Sequence, residues 1–222
     1  MGAAIRSVKR LVQTPKRRDS DRRRALLGQA IRYGGFLGIP GGLSGLLRAP
    51  TAHARAPAAA LRLATDEFLI MRHADAPGFS DPESFRVDDC ATQRNLGAQG
   101  RAQAAAIGRW LRAQGLLPME VWTSPWCRCM DTARLLEVGE PQSKAFLGSF
   151  FRDRDLAEGH TQNLRQALAR RLSLRSAPAL IAVTHQVNIS AYTGSSVASG
   201  EILKIRLRTD GSPREAFRID PA

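Results

Sequence analysis

Apolar and polar positions in this chain fall into blocks, and from residue 67 onward the blocks repeat a strand-then-helix order. Phe68, Leu69, Ile70 and Met71 form an unbroken apolar run, closed by Arg72, His73 and the turn residues Pro77 and Gly78. An apolar run with no polar alternation predicts a parallel strand covered on both faces. Residues 77–93 carry Pro77, Gly78, Pro82 and the carboxylates Asp81, Glu83, Asp88 and Asp89, which predicts a surface loop beside the strand's end. Asn95 is placed to cap a helix over 98–114, with Ala102, Ala105, Ala106, Trp110 and Leu111 on its apolar face and Gly115 as its stop. A second strand, 120–124, is followed by Pro125, which opens a helix running through Leu136.

Residues 138–158 have no clear period, although Phe146, Leu147, Phe150 and Phe151 predict a buried or lid-like segment. The spacing of Leu164, Leu168 and Leu172 predicts a surface helix ending near Arg175. A third strand follows over 179–184, then a short helix from Asn188. Residues 202–207 alternate and pair with 216–219 across Asp210-Gly211, a hairpin signal. Strands alternating with helices predict an α/β fold, a three-layer α/β/α sandwich on a mostly parallel central sheet.

The first 56 residues break the pattern. A basic region ends at Arg22-Arg23-Arg24, a mildly apolar, glycine-rich run spans 25–47, and small-residue sites stand at Ala52-x-Ala54 and Ala54-x-Ala56. That layout predicts a secretory signal, and the adjacent arginines before the run resemble a twin-arginine signal. Arg32, Pro40 and repeated glycines interrupt the run, whereas a membrane-spanning helix needs about 20 mostly apolar residues; uncleaved anchoring is the alternative. The plan is therefore a leader over 1–56, a linker over 57–66 and one domain over 67–222. The twin-arginine translocase is the expected export partner, and the expected location is periplasmic or otherwise extracytoplasmic.

Charge changes the picture less than its total suggests. A net +13 would point to nucleic acid or a membrane surface. Residues 1–56 hold 12 Lys+Arg against 2 Asp+Glu, and 57–222 hold 21 against 18. The leader is basic; the domain is close to balanced and asks for no nucleic acid. Three cysteines, Cys90, Cys127 and Cys129, fit no four-ligand zinc site. In an exported chain Cys90 could bridge to either of the others.

Candidate chemistry sits at three strand ends: Arg72-His73, Arg128 just after the second strand, and His185 after the third. In open α/β sheets reactive groups collect at the carboxyl ends of the strands. Two arginines and two imidazoles brought together would repel each other unless an anion joined them, and a phosphate fits the planar donor fork of arginine. One neutral histidine can attack phosphorus while the remaining cations spread the developing charge, with no metal and no other cofactor required.

Leu69-Ile-Met-Arg-His-Ala74, Thr123-Ser-Pro-Trp-Cys-Arg128 with Thr132-Ala133, and Val183-Thr-His185 resemble the signature motifs of the histidine phosphatase superfamily. Leu96-Gly-Ala-Gln-Gly100 and Gly200-Glu201 resemble two further elements of that family. The resemblance implies a phosphoglycerate mutase-like fold of the branch 1 type. It also implies His73 as nucleophile, with Arg72, Arg128 and His185 binding the transferred phosphoryl group. The family's usual acidic residue near position 148 is absent, since Leu147-Gly148-Ser149 stands there. Asp75 is the first candidate for general acid, with Asp89 and Asp153 behind it. The implied function is an exported, metal-independent phosphomonoesterase acting on a phosphorylated small molecule or an envelope glycan or lipid headgroup. The alternative is a module that binds phosphate in the same pocket without turnover.

Overall fold

The apolar run at Phe68 becomes a strand near the middle of a six-stranded sheet. The computed structural model describes residues 60–221 apart from Arg175, so the leader and its signal features lie outside the described residues. The strands are β1 (Glu67–Arg72), β2 (Met119–Thr123), β3 (Pro141–Ser143), β4 (Ala179–Thr184), β5 (Ile202–Leu207) and β6 (Pro213–Ile219). They lie in the order β3-β2-β4-β1-β5-β6. The first four run parallel, and the β5–β6 hairpin adds antiparallel to β1. The helices are α1 (Ala98–Ala113), α2 (Cys127–Leu136), α3 (Leu156–Leu172) and α4 (Gln186–Thr193).

Both faces of the sheet are covered, which is why β1 carries only apolar residues from Phe68 to Met71. Phe68 and Ile70 join one core with Leu164 and Leu168 of α3 and Ile189 and Tyr192 of α4. Leu69 and Met71 join a second core with Ile107 and Leu111 of α1 and Ala133 and Leu136 of α2. Successive strand side chains point to opposite faces, so four consecutive apolar residues serve two layers. The mixed α/β sandwich expected from the sequence is the architecture found.

Several local expectations change. Asn95 does not cap α1: Gly97 holds the cap position, and Asn95 Nδ2 donates instead to the carbonyls of Cys90 and Gln93. Pro125 stands before Trp126, the N-cap of α2, so it precedes the helix rather than entering it. Helix α4 starts at Gln186, two residues earlier than Asn188 suggests. Helix α3 begins at Leu156, eight residues before Leu164, because its first two turns carry few apolar residues for a period to register. The short edge strand β3 lies within the stretch that has no readable pattern. The supposed linker is partly docked: Leu61 and Leu63 pack on the second core, and the Leu61 amide donates to Gln114 Oε1.

Candidate active site

The carboxyl ends of β1, β2 and β4 meet on one rim because their register is fixed to the last residue. Arg72 pairs with Thr184 and Thr123 with Val183. The ladder carries on past the strands, with the His73 amide donating to the Thr184 carbonyl at 2.9 Å and the Ser124 amide to the Val183 carbonyl at 3.0 Å. His73 and His185 therefore emerge from neighbouring strands with ring centroids 5.5 Å apart. Arg128 stands in the first turn of α2, buried at 3% exposure, where the helix N-terminus already favours an anion. Arg72, His73, Arg128 and His185 all line one cavity of about 340 Å³.

The loop after His73 is held by packing against helix starts. The Ala74 amide donates to Thr132 Oγ1, whose hydroxyl donates back to the Arg128 carbonyl at 2.7 Å. A Cβ at Gly100 would run into the carbonyl of Asp75, so only glycine lets α1 abut this loop. That explains the glycine of the Leu96–Gly100 element.

The hydrogen bonds fix both tautomers. His73 Nδ1 lies 2.7 Å from the Ala74 carbonyl, which can only accept, so Nδ1 carries the proton and Nε2 keeps its lone pair. Burial, together with Arg128, Arg72 and Arg94, pushes the His73 pKa down to about 3. The ring is thus neutral and nucleophilic across physiological pH. At His185, Nδ1 faces the Arg128 guanidinium at 3.4 Å and must accept, so Nε2 carries the proton towards Ser124 Oγ at 2.8 Å. Burial first, then the same cations, also hold its pKa well below the ordinary value. Cys129 Sγ lies 3.5 Å from His185 Nε2, but burial pushes its thiol up to about 12, so it is no nucleophile.

Arg94 is a site residue that sequence reasoning missed. It lines the cavity, and its guanidinium donates to the carbonyls of Ala76 and Gly78. Burial and the neighbouring Arg128 lower its pKa, as they do for Arg72. The Nε atoms of Arg72, Arg94 and Arg128 are buried with no hydrogen-bond partner. Four guanidiniums, counting Arg152, line the cavity against one carboxylate, Asp81. The same loop carries Arg86, so the sequence offered no signal that singles out Arg94.

Asp81 is the carboxylate inside the cavity, and Asp75 is not among the residues lining it. Asp75 still acts at a distance, its charge supporting the protonated forms of Arg72 and Arg94. Asp81 Oδ1 accepts from Arg128 Nη1 at 2.8 Å and from the Arg94 amide at 2.9 Å. Burial raises its pKa, but the Arg94 amide and Arg128 outweigh that and leave it lowered. Asp89 caps a 3-10 turn over 90–92 and pairs with Arg86, and Asp153 accepts from the Asp155 amide; neither lines the cavity. His160 lies in the first turns of α3 against the Gly148 carbonyl, and Glu201 pairs with Arg218, both away from the cavity. Gln186 lines it, whereas buried Asn188 donates to the Gly148 carbonyl.

A disulfide joins Cys90 to Cys127 with Cα atoms 5.7 Å apart, leaving Cys129 free and buried. It ties the loop that carries Asp81 and Arg94 to the start of α2 beside Arg128. The Cys127 amide adds a bond to Gln93 Oε1 at 3.0 Å. Among the described residues no group of three or more His, Cys, Asp or Glu could hold a metal, and no helix is long and apolar enough to cross a membrane.

Residues 68–172 match the model of the histidine phosphatase superfamily (branch 1). The solved structure of the protein histidine phosphatase SixA complexed with tungstate aligns over 70% of this chain and 97% of its own, with TM-score 0.50 and 17% identity. Phosphoserine phosphatase from Entamoeba histolytica, in complex with 3-phosphoglyceric acid, aligns over 70% and 98%, with TM-score 0.48 and 12% identity. The likeness to the first of these is one of fold. No curated protein matches the sequence.

Proposed function

We propose, from the match of residues 68–172 to the model of the histidine phosphatase superfamily (branch 1), that this chain belongs to that superfamily and is an exported phosphomonoesterase working through a phosphohistidine on His73. One observation carries the reading. A neutral imidazole with its Nε2 lone pair free lines a cavity where three guanidiniums have unpartnered buried donors. Such donors suit phosphate oxygens, and arginine offers them in a planar fork.

In the proposed reaction the phosphoryl group sits on Arg72, Arg94 and Arg128. His73 Nε2 forms a bond to phosphorus as the bond to the ester oxygen breaks. The arginines offset the charge on the equatorial oxygens, the task a metal performs in other phosphoryl transfers. His185 can turn its Nε2 proton from Ser124 to a phosphate oxygen. Water then cleaves the phosphorus–nitrogen bond, releasing phosphate and restoring the imidazole. A dianion docking on Arg128 takes that partner from Asp81 and adds a like charge beside it. Both effects raise the carboxyl's affinity for a proton, which suits Asp81 to protonate the leaving oxygen.

Export is supported by two independent features: the twin-arginine-like leader, and a disulfide of the kind that persists in oxidising compartments. The translocase is then the export partner. A phosphorylated small molecule or an envelope glycan or lipid headgroup is the class of substrate within reach there.

The test is release of 4-nitrophenol from 4-nitrophenyl phosphate by the purified protein in EDTA, beside His73→Ala. Turnover that survives EDTA and falls at least about a thousandfold in the variant is expected. Phosphate or vanadate binding without turnover would replace the enzyme by a binding module. Neither binding nor turnover would end both readings.

A further inference from the structure

The outer half of the cavity is aromatic, and phosphoryl transfer itself makes no use of it. Phe79, on the 77–93 loop, is 84% exposed, a large apolar surface to leave in water. Phe151, from the segment before α3, meets it edge-on with ring centroids 5.6 Å apart. Deeper in, Phe85 and Trp126 lie 5.9 Å apart with planes inclined by 36°. All four line the same cavity as His73.

This wall is held in place rather than loosely draped. The Arg152 guanidinium donates to the carbonyls of Asp81 at 2.9 Å and Pro82 at 3.1 Å, and lies over the Phe85 ring at 5.7 Å. It thereby ties the segment bearing Phe151 to the loop bearing Phe79 and Phe85. Trp126 approaches the chemistry, its ring 5.5 Å from that of His185. A Cβ at Gly148 would stand 2.7 Å from Trp126 Cζ3, so the indole fills the space a side chain at 148 would need. Where a carboxylate was expected to serve the leaving group, the cavity has an aromatic face.

Resting on the phosphatase reading, we propose that the substrate is a small aryl phosphate whose ring stacks against Phe79 and Phe151 while its phosphoryl group sits on Arg72, Arg94 and Arg128. The chemistry agrees with the shape. His73 Nε2 bonds to phosphorus, the phosphorus–oxygen bond breaks, and the electron pair leaves on the aryl oxygen. A phenol has a pKa of about 10, so its oxygen departs with little help from an acid. The cavity's carboxylate, Asp81, is held ionised by Arg128 and the Arg94 amide in the free protein. Water then attacks phosphorus as the phosphorus–nitrogen bond breaks and its electron pair returns to His73 Nε2; the water's proton passes to solvent, and inorganic phosphate leaves.

Two stable phosphonates separate ring recognition from leaving-group reactivity. Benzylphosphonate should inhibit 4-nitrophenyl phosphate turnover about tenfold more strongly than methylphosphonate, the scale of one or two aromatic contacts. In the Phe79→Ala/Phe151→Ala double variant that ratio should fall towards one with the thermal midpoint unchanged, since both rings are exposed. Equal inhibition by the two phosphonates, or a ratio that persists in the double variant, would overturn the proposal. If no ester is turned over, the phosphatase reading fails on its own, and calorimetric titration of the same two phosphonates still decides whether the ring is recognised.

Discussion

Single residues decide the chemistry through their partners rather than their identity. His73 suits the proposed role of nucleophile because its Nδ1–H donates to the Ala74 carbonyl, leaving Nε2 its lone pair, and burial among arginines keeps the ring neutral. That neutrality has a stability consequence. The unfolded chain protonates His73 near 6.5, whereas the folded chain resists protonation down to about 3. Protons therefore bind the unfolded state first, and stability must fall as pH drops through that window, by up to about 1.4 kcal/mol per pH unit for this group. His185 shifts in the same direction and adds to the loss. Chemical denaturation at pH 7 and pH 5 should show the decrease, and His73→Gln should make it shallower; a flat profile would contradict the buried neutral ring. Asp81 gives a second prediction at this scale. Asp81→Asn keeps the shape but cannot donate a proton as a carboxylic acid does. Turnover of alkyl phosphates should fall about a hundredfold or more, that of aryl phosphates under tenfold. Equal losses on both ester classes would remove Asp81 from the acid's role.

At the level of elements, the site depends on a loop that has little regular structure of its own. Residues 77–93 present Phe79, Asp81 and Phe85 to the cavity, with Arg94 at the loop's end. Cys90–Cys127 anchors that loop to α2. A bridge spanning 37 residues limits the unfolded chain enough to contribute about 4 kcal/mol. Reduction, or Cys90→Ser, should lower the unfolding midpoint accordingly. It should also raise KM several-fold more than it lowers kcat, because Asp81 and Arg94 lose their anchor while His73 stays on β1. A KM that does not move would show that Arg152 and Gln93 hold the loop without the bridge.

For the whole molecule, the proposed export assigns address to residues 1–56 and chemistry to the domain. Most of the net positive charge falls in 1–56 and the domain is near balance, so the positive charge available to the proposed chemistry is local to the cavity. Cell fractionation should find the protein outside the cytoplasm, with a mature N-terminus after Ala54 or Ala56 by mass spectrometry. Replacing Arg22-Arg23-Arg24 with lysines should retain it inside. Unprocessed cytoplasmic protein from the natural sequence would refute the export reading.

The amino-acid sequence determined the parallel sheet directly, since Phe68–Met71 and Ala179–Val183 carry apolar residues for two faces at once. It also marked His73, Arg72, Arg128 and His185, because each ends or follows a strand and strand ends are where a parallel sheet gathers its reactive groups. The hairpin across Asp210-Gly211 was legible for the same local reason. What stayed hidden depends on contacts between distant segments. Arg94 and Asp81 enter the site only through packing of the 77–93 loop against β1 and α2, and no periodicity records that. The choice of Cys127 over Cys129 turned on which face of α2 each occupies, one towards Cys90 and the other beneath His185. Gly148 signalled a missing carboxylate, but only the folded chain shows Trp126 in the space a side chain there would need. Local pattern fixes elements; the identity of the groups that share a cavity is settled by tertiary packing.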